Sequence, residues 1–135
     1  MTRHFDWKPR LLAYLTEVAG RPFVFGSFDC LLFTLGALAA MTGEDLRPRY
    51  QGRYHTLAAG IALLRRDGHR DHVALIASLF DEVPPSFAQV GDVAVVSTPD
   101  GPALGVVQGE YIYVLGPDRM HPVSLLTALR AFRVS

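Results

Sequence analysis

Phe25-Gly26-Ser27-Phe28-Asp29-Cys30 leads directly into Leu31-Leu32-Phe33-Thr34-Leu35-Gly36-Ala37-Leu38-Ala39-Ala40-Met41. A glycine-containing loop ends in Asp-Cys and enters a run that is apolar on nearly every helical face. This predicts a buried helix from Cys30 to about Met41, with Gly43 as its left-handed terminator. The chain's single cysteine stands at the head of that helix. The unpaired backbone N–H groups of a first helical turn carry partial positive charge, which favours thiolate over thiol. Asp29 reads as the N-cap, accepting from an N–H two or three residues on, and its negative charge opposes the same ionisation. Two readings stay open: Cys30 as a nucleophile, and Cys30 as a small buried hydrophobe.

With 135 residues, half of them apolar and 19% charged, the chain reads as one domain with a real core rather than a solvated, disordered segment. Thirteen basic residues balance thirteen acidic ones, which argues against nucleic acid or an anionic membrane as the main partner. Arginines cluster locally at Arg47, Arg49, Arg53 and again at Arg65, Arg66, Arg70, and both clusters read as solvated surface. One cysteine makes no internal disulfide, and Met1 to Trp7 lacks the apolar core of a signal peptide, so folding in a reducing cytoplasm is expected. The run from Leu31 to Met41 is too short to span a bilayer.

Upstream of the central helix, Asp6 precedes Trp7-Lys8-Pro9 and reads as the cap of a first helix whose stripe is Leu11, Leu12, Leu15 and Val18, ending at Gly20. Arg21-Pro22 imposes an extended exit. Downstream, residues 43–54 are polar and broken by Pro48 and Gly52, yet carry Tyr50 and Tyr54, so an ordered loop packed through its tyrosines is expected. A third helix is predicted over 56–66, with Leu57, Ile61 and Leu64 inward, and a fourth over 71–79. His69-Arg70-Asp71-His72 is too sparse for a metal site and reads as solvated polar residues at a helix start. Beyond Pro84-Pro85 the periodicity becomes extended. Strands are predicted over 92–96, 103–107, 111–115 and 131–134, with a short helix over 125–129 capped by Ser124. The plan is α+β: an N-terminal helix (1–22), a helical half containing the Asp-Cys turn (23–80) and an antiparallel sheet (91–135) in one domain.

This order resembles the NlpC-type cell-wall peptidases, a compact branch of the papain-like cysteine peptidases. The resemblance rests on Asp29-Cys30 heading a buried helix, then Gly91-Asp92-Val93-Ala94-Val95-Val96, then a hairpin strand with Leu104-Gly105-Val106-Val107. The further combination of Phe25-Gly26, Thr42-Gly43-Glu44-Asp45 and Gly52-Arg53-Tyr54 is similar to an NlpC-like branch common among the tail genes of tailed phages and prophages. The resemblance implies a papain-like α+β fold and Cys30 as nucleophile, served by a histidine that opens the strand after the Gly-Asp strand in a His-x-Gly pattern. The matching residues here are Ala103-Leu104-Gly105, so the histidine position holds alanine. His121 is the nearby substitute base, while His55 and His72 fit that position less well.

The resulting expectation is a catalytically degenerate, NlpC-like structural or assembly protein of a phage tail tip or baseplate. It would be made in the bacterial cytoplasm, carried in the virion, and contact other tail proteins through Arg47, Arg49, Tyr50, Arg53 and Tyr54, with no metal, cofactor, nucleic acid or membrane insertion. The competing expectations are an active cysteine hydrolase cleaving peptidoglycan stem peptides, with Cys30 as nucleophile and His121 as base, and a small-molecule or acyl-thiol pocket in the former cleft.

Overall fold

A computed structural model describes all residues from Met1 to Ser135. Four helices come first: α1 (Trp7–Val18), α2 (Cys30–Thr42), α3 (Leu57–Arg66) and α4 (His72–Leu79). Six strands follow: β1 (Asp81–Val83), β2 (Val93–Thr98), β3 (Gly101–Gln108), β4 (Tyr111–Leu115), β5 (Met120–Ser124) and β6 (Arg130–Arg133). They form one antiparallel sheet in the order β1-β6-β2-β3-β4-β5. The α+β plan expected from the sequence is the architecture found.

Helix α2 is the central element because it has no polar stripe to turn outward. Every residue from Leu31 to Leu38 is buried, with α1 on one side and β3 on the other. It ends where expected, at Gly43 in the left-handed region with its N–H on the Ala39 carbonyl. The α1–α2 contact is unusually close: Tyr14 Oη donates to the Phe33 carbonyl at 2.8 Å, and a Cβ at Gly36 would lie 2.2 Å from that same oxygen. Only a residue without a side chain admits the tyrosine there.

The strands alternate strictly. Val93, Val95, Leu104, Val106 and Phe132 face the helices, whereas Ala94, Val96, Val107, Ile112 and Val114 form a second cluster on the far face. Against that far-face cluster pack Ala88, which follows the 3-10 turn Pro85–Phe87, and Leu125 and Ala128, at the 3-10 turn Leu125–Thr127. Asp92 anchors the sheet's start. Its side chain is fully buried and accepts from Gln89 N (2.9 Å), Val134 N (3.1 Å) and Arg133 Nε (3.0 Å), tying β2 to the end of β6.

Several expectations need correction. Asp6 precedes α1 but does not cap it, because its carboxylate is engaged with Arg10 Nε at 2.7 Å. The short helix after Ser124 is a single 3-10 turn, although Ser124 does accept from Leu126 N. The sheet also begins earlier than residue 91, at β1, and contains β5, where no strand was expected. In β5, Pro122 lies opposite Tyr113. The hydrogen-bonded pairs of this ladder fall at Gly116–Arg119 and, beyond the strand, Glu110–Leu125, so the alternation turns the proline nitrogen to the outer edge.

Candidate functional site

Asp29 is the hub of the turn that presents Cys30. Its buried carboxylate caps α2 through Leu32 N at 3.0 Å, accepts Gly26 N at 3.0 Å, and receives a short hydrogen bond from Tyr54 Oη. Gly26 sits at φ +78°, and a Cβ there would run into the Tyr54 carbonyl, so the glycine before Asp-Cys is required by both conformation and space. Burial and the Asp29 bond raise the Tyr54 phenol well above its ordinary range, so it remains a donor to the carboxylate. The N-cap expected from the sequence is therefore present, with Tyr54 as a partner 25 residues away.

Cys30 is half-buried on the wall of a cleft of about 630 Å3 between α2, α3, the β2–β3 hairpin and the β4–β5 turn. Burial pushes its thiol up to about 11; the backbone N–H of Leu104 pulls the other way, and Asp29 adds to the rise. Desolvation outweighs the helix terminus, and the resting sulfur is a thiol rather than a thiolate.

Strand β3 supplies no base beside that sulfur. Ala103 lies on the cleft wall, but the alternation of β3 packs its methyl against the far-side cluster. The β3 residue that faces α2 is Leu104, which is fully buried. His121 is an exposed β5 residue opposite Val114, on the rim of the same cleft; its Nδ1 would lie 2.8 Å from a Cβ on Gly116, and it makes no hydrogen bond to Cys30.

His72 corrects the expectation of a solvated residue. It is 8% exposed at the first position of α4, lines the cleft, and its Nε2 lies 2.7 Å from the Pro102 carbonyl. The bond holds the β2–β3 hairpin against the helical half. The sequence carried one weak signal for this, a histidine directly after the cap Asp71 and before the apolar run Val73 to Leu79. Sequence reasoning also missed Phe23 and Phe25, which stack edge to face with centroids 4.8 Å apart and line the cleft mouth, and Leu57 and Ile61, which line it instead of packing fully inward.

The 43–54 loop is ordered as expected, with Tyr50 1% and Tyr54 6% exposed. At that burial both tyrosines anchor the loop on the domain. Of the arginines in the expected partner-contact set, Arg47 is held in a two-pronged pair with Asp45 (2.9 Å each), leaving Arg49 and Arg53 exposed without an ion-pair partner. Arg49 and Arg53 line a second groove, outside the Cys30 cleft. No three histidine, cysteine, aspartate or glutamate side chains converge in a way that could hold a metal ion, and no helix is long and apolar enough to cross a membrane.

Comparison with known proteins shows that the family model described as a domain of unknown function, DUF6950, matches residues 2–134. No curated protein matches.

Proposed function

We propose, for a chain that belongs to the DUF6950 family of domains of unknown function, the role of a non-hydrolysing assembly protein: an NlpC-like domain of a tailed-phage tail tip or baseplate whose cleft no longer cleaves amides. The observation that carries the reading is the surroundings of Cys30. Its thiol is held protonated by burial, and the two β3 residues beside it, Ala103 and Leu104, take no proton. Amide cleavage by cysteine needs a thiolate and a positioned base, and losing one member of such a unit costs about four orders of magnitude in rate. The tail-tip location is drawn from the resemblance of the Asp29-Cys30, Gly91-Asp92 and Gly52-Arg53-Tyr54 motifs to the phage-associated NlpC-like branch.

One observation favours the alternative, a Cys30 hydrolase acting on peptidoglycan stem peptides: His121 and His72 both line the cleft that holds the sulfur. Iodoacetamide labelling of Cys30 across pH separates the two. The assembly reading expects the labelling rate to climb only above about pH 9, toward the thiol's midpoint near 11, and purified peptidoglycan to remain intact. A midpoint below about 7.5 together with Cys30-dependent release of stem peptides would overturn it. For the assembly role itself, a tagged copy expressed in its native host should co-sediment with tail particles.

A further inference from the structure

A groove of about 580 Å3 runs between the 47–53 loop and the α3–α4 turn, lined by Pro48, Arg49, Tyr50, Arg53, Asp67 and His69. Its walls are held by main-chain hydrogen bonds: Tyr50 N to the Arg47 carbonyl at 3.0 Å, Gly52 N to the Gly26 carbonyl at 2.7 Å, and His69 N to the Leu64 carbonyl at 2.9 Å. Buried Tyr50 pins the loop from beneath. Arg49 and Arg53 therefore project from a backbone ordered in advance, and neither takes part in any of the four ion pairs of the protein. Two unpaired guanidinium groups on a rigid groove lose little freedom on binding an anion.

We infer that this groove binds carboxylate side chains of an acidic segment in a partner protein. Guanidinium groups recognise planar carboxylates through two parallel N–H donors, and Arg49 and Arg53 supply two such forks. Asp67, beside the Tyr50 phenol on the same wall, sets the selectivity. It leaves room for a spaced acidic sequence, or one with a basic residue opposite Asp67, and opposes the continuous charge of a phosphodiester backbone. The balance of thirteen basic and thirteen acidic residues supplies no long-range field to draw in nucleic acid. The inference names the chemistry of the partner in the assembly reading, but the groove is separate from the cleft and does not depend on whether Cys30 hydrolyses anything.

Fluorescence anisotropy with a labelled ten-residue Glu-Ala repeat tests it on the full chain, and the Cys30 labelling above tests the cleft independently. Wild type should bind the peptide with an affinity that weakens as salt rises from about 20 mM to about 200 mM. The R49E/R53E variant, checked for native circular dichroism, should bind at least tenfold more weakly. K8E/R10E, with the same charge change placed on α1, should keep wild-type affinity, and D67N should bind two- to threefold more tightly. Equal loss in K8E/R10E, absence of salt-dependent peptide binding, or tighter binding of a twenty-nucleotide single-stranded DNA than of the peptide would each overturn the inference.

Discussion

Replacing Asp92 by alanine should remove about 3 kcal/mol of stability, although the residue lines neither the Cys30 cleft nor the second groove. Its carboxylate is fully buried and accepts three hydrogen bonds, from Gln89 N, Val134 N and Arg133 Nε. These three partners do not suffer equally. Gln89 lies at the surface, and the Arg133 side chain is 32% exposed, so both regain water. Val134 is fully buried, and its N–H is left without a partner, at a cost of about 1–3 kcal/mol. Removing one partner of a buried ion pair costs about 3–5 kcal/mol, and the escape of Arg133 to solvent places this case at the lower end. For a chain of this length the melting temperature should fall by about 10 °C. Urea unfolding at neutral pH is the assay, read as a lower midpoint at unchanged slope. R133M provides the converse, since it leaves the Asp92 carboxylate buried without its cation, and it should cost at least about 2 kcal/mol. A D92A loss below about 1 kcal/mol, with R133M equally mild, would refute the assignment of Asp92 as the clamp between β2 and β6.

Three further substitutions probe the helical half and the sheet edge. Gly36→Ala drives a methyl into Tyr14 and should destabilise by about 2 kcal/mol, whereas in a Y14A background, itself less stable, the same substitution should cost less than about 0.5 kcal/mol by thermal melts. Tyr54→Phe removes the phenol from Asp29 and should cost about 1.5–3 kcal/mol, while leaving the α2 cap on Leu32 N in place; no change in urea midpoint would show that the bond carries no stability. Arg130→Ala breaks an exposed pair with Glu82 and should shift stability by less than about 1 kcal/mol, with a measurable difference only at low salt. The raised Cys30 thiol also sets a pH dependence. Folding favours the protonated form, so this contribution is whole below about pH 8.5 and is lost as pH rises toward 11; C30A should flatten the loss of stability across that window.

What could be read from the sequence was local. Asp29, Cys30 and Gly43 mark the two ends of α2 through caps within a few residues, and the apolar run between them admits only a buried helix. The β2–β3 hairpin was equally legible, because its turn residues and apolar alternation lie side by side. β5 was not: Met120-His121-Pro122-Val123 alternates weakly and carries a proline, so its strand exists only through pairing with β4. β1 is three residues, two of them acidic, held by β6. At the site, Asp29 as a cap was visible, whereas its bond from Tyr54 spans 25 residues and the His72 contact with Pro102 spans 30. Such contacts leave no periodic trace. The tyrosines show the opposite limit: one pattern, an aromatic in a polar loop, fitted both an anchor and a contact surface, and burial shows the anchor.

The outward-facing nitrogen of Pro122 governs how copies of this domain can meet. A sheet grows from one molecule into the next only where an edge offers alternating donors and acceptors, and here the middle of the long edge has no donor to offer. The opposite edge, β1, is three residues long and flanked by the charged Glu82–Arg130 pair. Neither margin templates a neighbouring strand, so the domain is guarded against edge-to-edge fibrous stacking. Contacts between copies of this chain are thus left to side chains, and such joints can be loosened by salt or a single substitution without unravelling the fold.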